Sequence, residues 1–330
     1  GNLYNDGHID TLTNTGTMGT IYNTSKNTIK ELRNDKNSVI AEIDNSNGRY
    51  NTLENQGTIL GDIKNDNGTI TNLVNTNNGT ITGQIISNSS SNSENNYIGT
   101  IINEGVINSS HTMNDSDIQN ASNDAISLNT ITNVVTAIAN SGSINGNVRV
   151  AGNSEVNVIE NSKVIAGCII LEGGRIGKIN NTNGATANCM SFSSGANVDN
   201  LNNSGTIKDK ITNNSGSITI DNSGSGSIGG ITTSNGGTTN ISNGGFQNPG
   251  GNIGLITNTG SNSTTNIIEW NVGNPDNPKS PIKVAGDNLG GINTGTIYVD
   301  VTPGKVYDVE QIVVGEDGDG VDSNGDSLAD

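Results

Sequence analysis

Residues 55–75 read NQGTILGDIKNDNGTITNLVN, and this stretch decides the fold. Asn55-Gln56-Gly57-Thr58-Ile59 is answered by Asn65-Asp66-Asn67-Gly68-Thr69-Ile70, and Ile63 is answered by Leu73. Self-similarity at a short fixed period marks a repeat architecture, in which one unit cannot bury its apolar face alone and stacking supplies the core. Outward from this stretch, Leu3, Ile9, Leu12, Met18, Ile21, Leu32, Ile43, Leu53, Ile63, Leu73 and Ile85 are the inward candidates. Several of their steps are about ten residues, too long for a helical period and too regular for loops. The residues before each apolar position alternate: Asp10-Thr11-Leu12 with Gly19-Thr20-Ile21, and Asn51-Thr52-Leu53 with Gly61-Asp62-Ile63. A full coil is therefore two half-units, about 20 residues. The expected fold is all-β, a single-stranded parallel β-helix or β-solenoid.

Composition supports that expectation over ordinary globules. Length alone would suggest two or three domains, but apolar residues make up only 30% and aromatics 3%, against a usual apolar share of roughly 45–50%. There are 45 Gly and 59 Asn. A net charge of −17 with so little apolar residue would ordinarily indicate disorder. Only 14% of residues are charged, however, and the apolar ones are placed periodically. A solenoid tolerates this, because each rung points few side chains inward and the next rung covers them. No run approaches the ~18 apolar residues of a membrane span; Val134–Ala139 and Val164–Leu171 suit short buried strands. No signal peptide pattern opens the sequence, so such a leader is expected to be absent or already removed. With 15 basic against 32 acidic residues, no basic surface favours nucleic acid or anionic lipid.

Asn-Gly pairs such as Asn47-Gly48, Asn67-Gly68 and Asn78-Gly79 are expected at corners, where both residue types accept positive φ. Hairpins there would need longer flanking strands. Asn columns at the corners are expected to form amide ladders from coil to coil. Helix is nearly excluded, since Gly and Asn are poor helix formers.

The repeat is expected over 1–298, with loops at about 88–97 and 108–124 and an irregular Gly-rich stretch at 226–251. All five Pro follow residue 248, and a Pro-rich excursion is placed at 271–281, just after Trp270. A C-terminal cap is expected at 299–315 and an acidic Gly/Asp tail at 316–330; residues 300–330 carry nine acids and one Lys. The N-terminus enters in mid-pattern, which suggests a segment of a longer repeat protein.

Candidate chemistry is sparse. Cys168 and Cys189, the only cysteines, lie about one coil apart, close enough when stacked for a disulfide, or else for two small buried side chains in one column. Asp317, Asp319, Asp322, Asn324 and Asp326 alternate with glycines and could supply the hard oxygens Ca²⁺ requires. That stretch is not an EF-hand; it resembles the calcium repeats of thrombospondin type but is one residue short, and a solvated acidic linker is the plainer reading. No other cofactor is expected. His8 and His111 adjoin no nucleophile signature, and Asp115 and Asp117 form a bare DxD. The Thr pairs Thr11/Thr13, Thr69/Thr71, Thr80/Thr82 and Thr130/Thr132 are too irregular for an ice-binding array. No catalytic residues emerge.

The NxGTI…GxI…NxGTI pattern over roughly 1–300 resembles the passenger regions of Gram-negative autotransporters, including the repeat-rich relatives of vacuolating cytotoxin. The resemblance implies a right-handed parallel β-helix displayed outside the cell and acting in adhesion. The partners would be a host-cell or neighbouring-cell surface protein or glycan, and flanking segments of the same parent chain. It carries over no catalytic residue, and neither the membrane barrel of such proteins nor an acidic tail in them is matched here. Surface-layer proteins and phage tail fibres could wear the same rungs. The expected function is thus a non-catalytic surface or secreted stalk or adhesin. The competing one is a carbohydrate-active lyase or hydrolase, which would bring carboxylates together in a groove near Arg149 or Arg175.

Overall fold

The computed structural model describes residues 1–89, 97–108, 123–130, 134–274 and 280–306, with 313–315 as backbone only. Its contacts divide it into two compact units, Gly1–Lys178 with Thr186–Asn188, and Ile179–Ala185 with Cys189–Asp330. Each is a β-solenoid of parallel strands in turns of about 21 residues. The described residues contain no α-helix, only short 3-10 turns such as Leu289–Gly291. No helix among them is long and apolar enough to cross a membrane.

In the first unit one parallel ladder runs through His8–Asn14, Thr28–Asn34, Arg49–Asn55, Thr69–Asn75, Tyr97–Asn103, Val134–Asn140 and Glu155–Asn161. A second ladder includes Leu3–Asn5, Thr17–Asn23, Val39–Asp44, Ile63–Asp66, Ile85–Asn88, Asp124–Thr130 and Asn147–Gly152. Residues 55–75 are one complete turn. It points Ile59, Ile63, Ile70 and Leu73 inward, all with no exposed surface, together with Asn55 and Asn65. Full burial of such a side chain is worth about 1.5–3 kcal/mol. The apolar positions stack in register: Leu12, Leu32, Leu53 and Leu73 form one column, and Ile29, Tyr50, Ile70 and Ile98 another. Ile21, Leu32, Ile43, Leu53, Ile63, Leu73 and Ile85 are buried as expected. Leu3, Ile9, Leu12 and Met18 are half-buried, because in the first turn a neighbouring rung covers one side only.

The expected amide ladders form, built from asparagines at strand ends whose side chains point into the interior. Each strand of the first ladder ends on one. Asn14, Asn34, Asn55, Asn75, Asn103 and Asn140 each donate from Nδ2 to Oδ1 of the next, at 2.8 Å every time, and Asn161 receives the last of these bonds. The same amide groups donate to a carbonyl one turn on, as Asn55 does to Thr80 O at 3.2 Å. A buried amide so engaged has little unmet bonding capacity, so the polar column need not destabilise the core. A second ladder, Asn5–Asn23–Asn45–Asn65, ends at Ser87 Oγ. Leu128 and Val150 occupy that column thereafter.

The corner glycines need a different reason. Asn47 and Asn67 take the left-handed conformation, with φ 61° and 53°. Gly48, Gly57, Gly68 and Gly79 do not. A Cβ on Gly79 would collide with Asn75 Oδ1 and Asn55 O, and one on Gly68 with Asn45 O. Close approach to the preceding turn, not positive φ, selects glycine there.

The ladder bonds span 20, 21 and 20 residues from Asn14 to Asn75, then 28 and 37 to Asn103 and Asn140, then 21 again. The extra residues fall where loops were expected at 88–97 and 108–124, most of which lie outside the described residues.

In the second unit Asn181, Asn203, Asn222 and Asn243 repeat the ladder. It closes on Ser280 Oγ at 3.2 Å, while Trp270 Nε1 donates to Ser280 O at 2.8 Å. The strand Thr264–Gly273 runs into the expected Pro-rich excursion, of which 275–279 lie outside the described residues. Ile292–Val299 pairs with that strand, and Val313–Gly315 pairs with Ile282–Ala285. The interior also holds a polar cluster with no exposed surface: Thr233 and Thr239 hydroxyls lie 2.8 Å apart, Asn213 Nδ2 donates to Thr239 at 3.0 Å, and Thr265 reaches Thr233 at 3.0 Å.

Candidate functional site

Cys168 and Cys189 are both disulfide-bonded, and neither is a free thiol. The calcium candidates Asp317, Asp319, Asp322, Asn324 and Asp326 lie outside the described residues, as do His111, Asp115 and Asp117. Among the described residues, no group of three or more His, Cys, Asp or Glu side chains is placed to hold a metal ion. The Thr rank containing Thr11 is interrupted by Glu31 and Asn72, since Thr11, Glu31, Thr52 and Asn72 stack in that order.

Carboxylates gather around arginine at one place in the first unit. Arg149 Nε lies 2.7 Å from Asp124 Oδ2, and its Nη1 lies 2.7 Å from Glu172 Oε1. Asn147 Nδ2 donates to Asp124 Oδ1 at 3.1 Å. Three successive turns supply this group, since Asp124–Thr130 pairs with Asn147–Gly152, which pairs with Val164–Glu172. Burial raises the Asp124 pKa, opposed by the hydrogen bond and charge of Arg149. The Asp124 side chain is 3% exposed and that of Arg149 10%, and the guanidinium sits directly on both carboxylates. Asp124 and Arg149 are nearly closed off, while Glu172 remains 46% exposed at the edge of the cluster. Arg175 pairs with Glu155, whose side chain comes from the preceding turn.

A more open arrangement occurs in the second unit, within the Gly-rich stretch whose period is blurred. Gly245 and Asn248 form an antiparallel bridge, with Gly245 N donating to Asn248 O at 2.9 Å and Asn248 N to Gly245 O at 3.0 Å. Phe246 and Gln247 form the tip of this small hairpin, Gln247 in the left-handed region at φ 62°. At its base Gly244 takes φ 72°, and a side chain there would meet Asn248 O at 2.6 Å. Asn271 Nδ2, from the next turn, donates to Gly245 O at 2.9 Å and Asn248 O at 3.3 Å. The hairpin is therefore clamped from outside as well as closed on itself.

Beside it lies a cleft of about 430 Å³, lined by Asp221, Ser223, Asn248, Pro249, Glu269 and three glycines. Asp221, Ser242 and Glu269 are consecutive in one column. The two carboxylates therefore spring from backbone about 10 Å apart, two strand spacings. Neither bonds to another described side chain, whereas Asp124 and Glu172 do. Phe246 is 71% exposed, and its ring centroid lies 6.1 Å from that of Tyr298 at an interplanar angle of 53°. Phe192, the other phenylalanine, is fully buried.

The irregular Gly-rich stretch is legible in the sequence, but the hairpin and the residues it brings together are not. The hairpin's one local signal is the phenylalanine in Gly244-Gly245-Phe246-Gln247-Asn248-Pro249-Gly250, amid turn formers. Comparison with protein-family models, with curated proteins and with solved structures gives no match in any of the three, so the chain's assignment ends at a β-solenoid repeat protein with a cleft beside one clamped hairpin.

Proposed function

We propose that this chain is a non-catalytic β-solenoid displayed on a bacterial surface or secreted, serving as an adhesin or structural stalk within a larger exported protein of the autotransporter-passenger type. The observation that carries this reading is the internal amide ladder within each unit. Side chains of each turn are committed to apolar columns and amide bonds, and chain length varies between rungs without breaking register. Such a body holds an extended surface rigid while loops differ, the property a stalk or contact surface requires. Two disulfide-bonded cysteines suit an oxidising, extracellular setting. The acidic balance disfavours nucleic acid as partner, and the resemblance to autotransporter passengers implies a surface protein or glycan of a host or neighbouring cell.

The test is attachment without turnover. Beads coated with the purified chain should retain cultured epithelial or bacterial cells above uncoated beads, and incubation with a polysaccharide panel should release no new reducing ends or unsaturated sugars. Beads that retain no cells of either kind would remove the adhesive reading.

A second reading, glycoside cleavage, is favoured by one observation, the placement of Asp221 and Glu269 two rungs apart in the lining of one cleft. Glycosidases place two carboxyl groups on either side of the scissile bond. Product release in the same assay, abolished by Glu269→Gln, would establish it.

A further inference from the structure

We propose that the cleft beside the Gly244–Gly250 hairpin is a carbohydrate-binding site for a neutral oligosaccharide, with a sugar ring seated against Phe246 and Tyr298 and its hydroxyls donating to Asp221 and Glu269. This deepens the adhesive reading and rests on it for its biological sense, though not for its geometry.

Four features converge. The cleft, at about 430 Å³, falls within the range of small-ligand sites, roughly 300–1,000 Å³. Its lining is polar, with two carboxylates, a serine and an asparagine, and it contains no lysine or arginine. Anionic ligands such as phosphorylated, sulfated or sialylated groups would meet only repulsion there. Pro249 is the one apolar side chain in the lining, too little for a lipid or an aliphatic peptide. A polyhydroxylated, uncharged molecule matches what remains, since its hydroxyls donate to carboxylate acceptors and exchange bonds with Ser223 and Asn248.

The aromatic pair lies outside the cleft's lining but on and beside the same hairpin, where it offers a rim for the ring face of a sugar that extends past the cleft. Phe246 belongs to the same hairpin as the lining residues Gly245 and Asn248, and Tyr298 is paired in register with Asn271, the residue that clamps that hairpin. A sugar ring has a face of C–H groups that packs on an aromatic face, while its hydroxyl edge stays polar. The two aromatic rings pack against each other at 6.1 Å and 53°, and Phe246 keeps exposed surface beyond that contact. The clamp matters because an exposed phenylalanine on a slack loop would have to be ordered on binding, at an entropic cost that the doubly held hairpin has already met.

The experiment uses the full chain and a defined panel: maltohexaose, cellohexaose, mannohexaose, β-1,4-galactohexaose and chitohexaose. Saturation-transfer NMR and calorimetry would read binding, and mass spectrometry would follow the sugar's integrity. At least one oligosaccharide should bind and receive saturation. Phe246→Ala and Glu269→Gln should each weaken it about tenfold or more, with thermal midpoints unchanged. Tyr4→Ala, an exposed ring in the first turn, should bind as the native chain does. No binding across the panel, or undiminished binding by both Phe246→Ala and Tyr298→Ala, overturns the assignment. So does a cleft that takes up CaCl₂ or spermidine while ignoring every sugar. A chain that retains cells yet binds no oligosaccharide fails this inference and leaves the adhesive reading standing. A sugar that is bound and then cleaved keeps the site and overturns the non-catalytic reading.

Discussion

Asn55 donates its side-chain amide to the amide oxygen of Asn75, 2.8 Å away and one full turn later, in a column where neither residue has exposed surface. Asn55→Ala leaves Asn34 without its acceptor, and Asn75 Oδ1 and Thr80 O without this donor. With buried groups costing roughly 1–3 kcal/mol each when unpaired, the expected loss is about 2–4 kcal/mol. The midpoint of urea unfolding should fall accordingly, while Asn51→Ala, on an exposed position of the same strand, should stay within about 0.5 kcal/mol.

Gly79 and Gly16 separate the steric role of glycine from its conformational one. Gly79→Ala forces a methyl into Asn75 and the Asn55 carbonyl and should cost about 2–4 kcal/mol. Gly16→Ala, with nothing within 4 Å of the new carbon and no positive φ, should be neutral or stabilising by about 0.4–1 kcal/mol. Thermal midpoints of the two variants would check this. Equal effects would show that the corners select glycine for some other reason.

Tyr50 fills the column between Ile29 and Ile70, but its hydroxyl is buried with no hydrogen-bond partner among the described residues. Tyr50→Phe should therefore stabilise the chain at neutral pH by about 1 kcal/mol. Burial, with the nearby charge of Asp44, also pushes the phenol pKa far up. Above the unfolded value of about 10, the native state holds a proton that the unfolded state has released. Stability then falls as pH rises. The phenylalanine variant should lose that alkaline slope in denaturation measured from pH 8 to 11.

Removing Arg149 strands Asp124 in a nearly closed site. Arg149→Met should cost about 3–5 kcal/mol. The double change Asp124→Leu with Arg149→Met should recover much of it, because the uncompensated charge is gone. Calorimetric unfolding of the single and double variants would decide. A double variant no better than the single one would point to a requirement for the ions themselves.

The two disulfide-bonded cysteines offer a further test of stability. Removing a disulfide typically costs about 2–4 kcal/mol. Cys168→Ala with Cys189→Ala, or dithiothreitol on the native chain, should lower the unfolding midpoint to a similar degree.

The period, the half-unit and the amide ladder were legible in residues 55–75, because a parallel stack repeats the same environment at the same step. What side chains do across turns was less so. Asparagine is polar, and only stacking gives the ladder amides the partners that let them be buried. Glycine was assigned to positive φ, a local property, whereas Gly79 answers to atoms of Asn55, a turn away. Asp124, Arg149 and Glu172 lie 25 and 23 residues apart along the chain, and no local pattern joins them. The hairpin at Gly245–Asn248 was hidden for the opposite reason: it is the place where the chain leaves its repeat.

The amide ladder has one further consequence. All its bonds point the same way, from Nδ2 of one turn to Oδ1 of the next, so every finished rung presents a donor that an oxygen at a single position of the incoming rung must meet. Register is thus set by arrival of an asparagine, not by a count of residues, as the 28- and 37-residue intervals demonstrate. In engineering terms the column is a ratchet with free slack between its teeth. A foreign peptide spliced between Asn88 and Tyr97 should be carried as cargo at no cost to the shaft, provided the next asparagine still arrives on the same face.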